Sequence, residues 1–335
     1  MLVSVLESRQ QVALAARPDP TPGPRQVLVR IRRVGVCGSD IHFYEHGHIG
    51  PYVAEGLVLG HEAAGEIVAL GDDVRRRAIG ERVSIEPGVP CRACPTCLSG
   101  RYNLCPGMRF LGTPAIGDAP AIDGAYAEYV AIDEAFAHPV PAELSLDTAA
   151  LLEPLSVALW ACQQAGIGAG ARVLVTGAGA IGLVCVQAAL ALGAETVHIR
   201  ARNAHRLALA EEFGAVPIRN LDALDADALL DCTGVPSVIG HALYALARGA
   251  RAVLVGAGTD ELALPLMRMH THELTVHGLF RYAGTWPAAI ALAASARVDL
   301  DALVSRHYPL ADVGAALAAR GDDADSVRAI VTPHD

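Results

Sequence analysis

The stretch "RVLVTGAGAIGLVCVQAALALG" (172–193) limits the fold more than any other part of the chain. A short apolar β run leads into Gly177, Gly179 and Gly182, spaced G-x-G-x-x-G, and a long helix-like apolar segment follows. The spacing alone is weak evidence, but a strand before it and a helix after it are what a dinucleotide turn requires. Gly177 permits the tight turn, Gly179 lets backbone approach a pyrophosphate, and Gly182 allows close helix–strand packing. Ala180 and Ile181 lie between, where a helix N-terminus offers free N–H groups and its positive dipole end to phosphates. Packing alone is the competing reason for these glycines.

The surroundings agree. From residue 172 onward, "RVLVTG", "TVHI", "ALLDCTG" and "RAVLVGAG" alternate with the helix-like "LVCVQAALALG", "HRLALAEEFG" and "VIGHALYALARG". That alternation predicts a parallel sheet with crossover helices on both faces, a doubly wound α/β domain. Before it, "QVLVRIRRVGVC" (26–37), "GEIVALG" and "GERVSIE" read as strands between turn residues. At 335 residues the chain exceeds the size at which one core stops growing, so two domains are expected. The predicted boundaries are 1–145 with 281–335 for a discontinuous strand-rich domain, and 146–280 for the dinucleotide domain. The helix-like "WPAAIALAASA" and the strand-like "SRHYPL" and "RAIVTP" are expected to return to the first domain.

About 20 residues past the glycines, such a fold usually carries an acidic residue for the ribose 2′-hydroxyl. Here "VHIRARNAHRL" places Ala201 there, between Arg200 and Arg202, with Arg206 one turn into the next helix. A carboxylate would repel a 2′-phosphate, whereas guanidinium groups bind phosphate through a fork of donors. At an effective dielectric of about 20, unit charges 4 Å apart interact by roughly 4 kcal/mol, and every ~1.4 kcal/mol changes a binding ratio tenfold. The stretch therefore predicts NADP(H) over NAD(H); simple solvation of the arginines is the alternative.

Formal net charge is −10, and all 26 basic residues are arginine. A nucleic-acid or anionic-membrane partner would call for a cationic field, so neither is expected. No apolar run reaches the roughly 18 residues of a membrane span. The start "MLVSVLESRQQVALAARPDP" lacks the regions of a secretory signal, so a soluble, cytoplasmic protein is expected.

Four of the eight cysteines crowd into "CRACPTCLSGRYNLC" as Cys91, Cys94, Cys97 and Cys105. Clustering of this kind favours metal over disulfides, and four thiolates can close a structural zinc tetrahedron. A nucleic-acid zinc ribbon is the alternative that the acidic balance opposes. A second, scattered set comprises Cys37 in "VGVCGSD", His61 and Glu62 in "GHEAAGEIVALG" and Glu153 in "LLEPLS". Thiolate, imidazole and carboxylate are all zinc ligands, although separately each residue is unremarkable.

Together these motifs resemble the zinc-containing medium-chain dehydrogenase/reductase superfamily over essentially the whole chain. "GHEAAGEIVALGDDV" matches its zinc signature, and "CGSDIHFYEHGHIG", "EPLSVAL", "DCTG" and "GLFRYAGTWP" resemble the sorbitol (polyol) dehydrogenase or ketose reductase branch. The resemblance implies a GroES-like β-rich catalytic domain, with a structural zinc lobe at 88–106, plus a Rossmann domain, and an active site in the cleft they form. It implies Cys37, His61 and Glu62 around a catalytic zinc, with Glu153 reaching the metal directly or through water. Ser39 and His42 fall on its proton-relay positions; Phe43, Arg281 and Tyr282 fall on positions that hold the polyol. NADPH-preferring ketose reductases are similar in having Ala then Arg where Ala201 and Arg202 stand.

The implied reaction is reversible hydride transfer between NADP(H) and a secondary alcohol of a polyol, with two zinc ions per chain and a homo-tetramer or homo-dimer. A sugar-acid dehydrogenase of the idonate type, an NAD-preferring polyol dehydrogenase and an inactive cofactor-binding protein are the alternatives. Trp160 stands where many relatives have His, Phe43 where Tyr is common, and His48 where Arg is usual. The loop "GTPAIGDAPAIDGAYAEYV" is a few residues longer than in relatives.

Overall fold

A computed structural model describes residues 1–115, 120–221, 224–258, 261–319 and 326–334. Part of the long loop noted above, residues 116–119, lies outside the described residues. The chain divides into two compact units: Met1–Glu153 with Trp286–Ala294 and Leu300–Asp335, and Pro154–Thr285 with Ser295–Asp299.

The first unit is built around β1 (Gln26–Gly35), followed by helix α1 (Gly38–His46), β2 (Glu62–Leu70), β3 (Arg82–Ile85), β4 (Tyr129–Asp133) and β5 (Ala137–Pro139). In the alternating β1, Val27, Val29 and Ile31 are fully buried, so one face of the strand feeds the core. β1 pairs antiparallel with β2 along one edge, and with β4 along the first half of the other edge. β3 and β5 extend the sheet beyond β2. The register sets Gly35 opposite Glu62, and this single pairing brings the Cys37 and His61 segments together. A cluster including Val29, Ile31, Ile67, Ile85 and Val331 forms the core.

Two helices follow, Leu146–Ala150 and α2 (Leu152–Ala165), with Glu153 in the first turn of α2. In the second unit β6 (Arg172–Thr176), α3 (Ala180–Ala191), β7 (Thr196–Arg200), α4 (Ala204–Glu212), β8 (Val216–Pro217), β9 (Ala226–Asp231), β10 (Leu246–Leu254) and β11 (Thr275–Gly278) follow in turn. All pairings are parallel, in the order β8-β7-β6-β9-β10-β11. Counted from β6, this is the order 3-2-1-4-5-6 of a Rossmann sheet. α3 is buried along most of its length, in keeping with its uniformly apolar sequence.

One element differs from the sequence expectation. "VIGHALYALARG" reads as one long helix, but helix covers only Pro236–Ala242, with a short 3-10 turn to Ala245, and Leu246 starts β10. Fully buried Leu246 pairs with Ala226, and Gly249 at φ +77 absorbs the register shift that follows. Tertiary pairing overrides local helix preference there.

The chain's last strands, β12 (Val304–Pro309) and β13 (Arg328–Thr332), pair in parallel, and β13 joins β1 at Val34 and Gly35. Among the described residues no helix is long and apolar enough to cross a membrane.

Candidate active site and cofactor turn

Cys37 leaves the end of β1 and sits at the N-cap of α1, and His61 and Glu62 enter β2 opposite it. The ligand atoms of these three residues lie within 4.8 Å of one another, with His61 and Glu62 buried. Glu62 Oε2 is buried with no hydrogen-bond partner, and its other oxygen accepts from Arg328 at 2.8 Å. His61 Nδ1 lies 3.5 Å from Asp40 Oδ1, an ion-pair distance without hydrogen-bond alignment. A sulfur, a ring nitrogen and an unsatisfied buried carboxylate oxygen converging in this way fit a divalent zinc, which would complete them. Glu153, 6% exposed, stands outside the trio, but its charge acts on the His61 ring.

Three further residues hold this site, and sequence reasoning did not find them. Asp40 is fully buried. Its Oδ2 accepts from the Cys37 backbone N–H (3.1 Å) and the Tyr126 hydroxyl (3.0 Å), and its Oδ1 accepts from Gly60 N–H (3.3 Å). One carboxylate thus ties both ligand segments and faces the His61 ring, the arrangement that orients metal-bound histidines. The one signal in the sequence was the C-x-x-D spacing of a capping-box-like turn. Arg328 on β13 donates to Val36 O (2.7 Å) as well as to Glu62, so a residue 266 positions away fixes the carboxylate. Gly35 supplies the space: a Cβ there would collide with Glu62 Oε2.

Electrostatics follow from the burial. Desolvation works against the charged His61 ring, yet Asp40 and then Cys37 outweigh it and hold its pKa well above the usual imidazole value. Burial raises the Glu62 carboxyl, with Arg328 and His61 pulling it back. Burial and Asp40 push the Tyr126 phenol up, so it stays protonated and donates to Asp40.

Ser39 and His42 lie on α1, partly exposed and exposed respectively, with the His42 ring 4.5 Å from that of His46. Phe43 on the same helix is 5% exposed and belongs to the core cluster. In the other unit, Tyr282 is buried, while Arg281 adopts φ +53 with its guanidinium 4.7 Å over the Phe280 ring. Trp160 is half-buried on α2, and His48 is exposed.

The cysteine lobe is a second cluster. The four sulfurs of Cys91, Cys94, Cys97 and Cys105 lie within 4.8 Å of one another, with Cys94–Cys97 at 3.4 Å and Cys91–Cys97 at 3.9 Å. A tetrahedron of ~2.3 Å zinc–sulfur bonds has edges of about 3.8 Å, so the set matches a closed site. The Thr96 hydroxyl lowers Cys94 to about 6, whereas desolvation and then Cys94 push Cys97 up to about 12. Four thiols this close cannot all ionise without a cation among them.

In the dinucleotide turn, Gly177 has φ +91, and a Cβ there would press on Thr233. A Cβ on Gly182 would collide with the carbonyl of Gly177, whereas Gly179 faces open space. Gly179 is also the N-cap of α3, with no side chain capping it. That leaves a cradle for an anion at the helix start. Gly177 N–H donates to Arg200 O at 2.8 Å, tying the arginine segment to the turn, and Asn203 caps α4 through Arg206 N–H. Fully buried Asp231, also unforeseen, accepts from Thr176, Thr233 and Gly234 N–H and fixes the "DCTG" turn beside the glycines.

Comparison with known proteins decides the family. Residues 23–142 match the alcohol dehydrogenase GroES-like domain family, and residues 180–295 match the zinc-binding dehydrogenase family. The sorbitol dehydrogenase of Gallus gallus is 39% identical over 325 residues, covering 92% of this chain and 90% of that one. The chain belongs to the zinc-containing medium-chain dehydrogenases, in the sorbitol dehydrogenase branch. Among solved structures, a zinc-binding dehydrogenase of Sinorhizobium meliloti 1021 bound to NADP is 30% identical with a TM-score of 0.91, covering 99% of both chains. L-idonate 5-dehydrogenase of Escherichia coli is 28% identical with a TM-score of 0.91, covering 99% of this chain and 98% of that one. As a member of this branch, the protein is a polyol dehydrogenase, a zinc-dependent oxidoreductase acting on a CH–OH group with a nicotinamide cofactor.

Proposed function

We propose that the protein interconverts a sugar alcohol and its ketose, with NADP(H) preferred over NAD(H) and two zinc ions per chain. The observation that carries this reading is the convergence of Cys37 with buried His61 and Glu62, followed directly by the helix bearing Ser39 and His42. When bound, zinc supplies Lewis acidity toward the carbinol oxygen, and the nicotinamide accepts or donates the hydride.

The chain's own residues do the rest. Cys37, His61 and Glu62 hold the catalytic ion, and Glu153 reaches it directly or through water. Ser39 accepts the carbinol proton and passes it toward His42, whose exposed ring delivers it to solvent. In ketose reduction the same two residues return the proton. Phe43, Arg281 and Tyr282 hold the polyol. Asp40 orients the His61 ring and Arg328 holds Glu62, so neither ligand must be reorganised at each turnover. Cys91, Cys94, Cys97 and Cys105 hold the structural ion.

For the cofactor, Gly177, Gly179, Ala180, Ile181 and Gly182 receive the pyrophosphate on the start of α3. Arg200, Arg202 and Arg206 around Ala201 take the 2′-phosphate of NADP. The NADP bound to the Sinorhizobium meliloti relative supports this assignment. Steady-state kinetics with NADP⁺ and NAD⁺ across sorbitol, xylitol, arabinitol, galactitol and ribitol test it. Higher kcat/KM with NADP⁺ on at least one polyol is expected; oxidation of none of them overturns it.

A sugar-acid substrate of the idonate kind is the second reading, favoured by the Escherichia coli relative. Idonate added to the same panel separates the two.

We further propose a homo-tetramer or homo-dimer in the cytoplasm. The Rossmann sheet ends among the described residues on β11, and the helix preceding β11 exposes Leu266 and Met267, a sheet edge and apolar side chains that favour being covered. The four-thiol lobe suits a reducing compartment.

A further inference from the structure

α1 carries a second histidine that the proposed reaction does not use. His42 and His46 are one helical turn apart, so they project from the same face, and their rings lie 4.5 Å apart at 60°. Both are exposed. Two imidazoles at i and i+4 on a helix form a chelate for divalent transition metals, and imidazole ligands suit zinc, copper and nickel. Glu45 Oε2 lies 3.8 Å from His46 Nε2, which puts a negative charge beside the pair. His46 also lines an open depression of about 240 Å³, whose walls include His48 and Glu55. Arg9 on that wall opposes a cation, but its guanidinium is engaged, its Nε donating to Glu45 O at 2.6 Å.

We propose that His42 and His46 form an inhibitory site for a divalent transition-metal ion, separate from the two resident zinc sites. The catalytic trio lies at the N-terminal end of α1, with Cys37 as its N-cap and His61 and Glu62 buried at the start of β2; the pair is exposed further along α1, at His42 and the last residue, His46. An ion bridging the two rings occupies a nitrogen of His42 that the relay needs for proton transfer, and turnover stops while both resident ions stay in place. The inhibition part rests on the relay role proposed above for His42; the binding part does not.

The experiment uses holoenzyme with its resident zinc and adds Ni²⁺ or Zn²⁺ alone. Binding is measured by calorimetry, turnover by steady-state kinetics, and resident zinc by elemental analysis. In the wild type, one added ion per chain is expected to bind and inhibit reversibly, with resident zinc unchanged and activity recovered on brief chelation. His46→Ala, which removes an exposed ring outside the proposed machinery, is expected to keep metal-free activity. It should raise the concentration for half-inhibition at least tenfold, with a matching loss of affinity. If binding and inhibition are the same in His46→Ala and wild type, the site is overturned. If His46-dependent binding occurs without inhibition, the site stands as a metal chelate and the relay role of His42 fails.

Discussion

Gly35 leaves the space in which Glu62 sits. The two face each other across the β1–β2 register, and a Cβ on Gly35 would collide with Glu62 Oε2 and stand 3.1 Å from its Cβ. The adjacent carboxylate oxygen is held by Arg328, so the side chain has no other place to go without breaking a buried ion pair. Gly35→Ala is therefore expected to keep the fold but lose zinc affinity and kcat by about 10–100-fold, the usual effect of disturbing a ligand's support. Circular dichroism, zinc content and kinetics on one preparation check it.

Arg328 makes a separate prediction about stability. In the zinc-free protein, Arg328→Met leaves the Glu62 carboxylate buried without a cation, a change that destabilises by ~3–5 kcal/mol. Denaturant unfolding measures it. Adding Glu62→Gln in the same chain should recover part of the loss, since the uncompensated charge is removed.

Asp40 is expected to act through His61 and Cys37 rather than on substrate. Asp40→Asn keeps one oxygen to accept from Cys37 or Gly60 N–H and removes the charge that faces the His61 ring. Zinc release to a mild chelator should accelerate about 10–100-fold with little change in polyol KM at saturating zinc. A change in polyol KM with unaltered zinc release would contradict the positioning role.

The cofactor preference is read most directly from Ala201→Asp. A carboxylate among Arg200, Arg202 and Arg206 repels the 2′-phosphate and accepts a ribose hydroxyl. The kcat/KM ratio of NADP⁺ to NAD⁺ should then fall at least tenfold, about 1.4 kcal/mol. An unchanged ratio would mean that the arginines are merely solvated.

How far the sequence reached depended on how local each feature is. The glycine turn and the cysteine lobe were legible because each lies within a single short segment whose spacing reports its geometry. The parallel, doubly wound sheet followed from the alternation of β and α runs, while the start of β10 did not, because Leu246 joins the sheet through pairing with Ala226. Tyr126, Gly35 and Arg328 were illegible for the same reason. Their relevance arises from strand register and from contacts spanning up to 292 residues. Nothing in the local pattern around Arg328 marks it as the buried partner of Glu62.

The account centres on a catalytic zinc held by Cys37, His61 and Glu62, distinct from the ion of the cysteine lobe. Zinc content measured by elemental analysis alongside NADP⁺-dependent polyol oxidation, in wild type and Cys37→Ser, tests that most directly. Two zinc ions per active wild-type chain, and one per folded but inactive Cys37→Ser chain, is the expected result. Full activity in Cys37→Ser, or active wild-type protein carrying zinc only in the lobe, would contradict it.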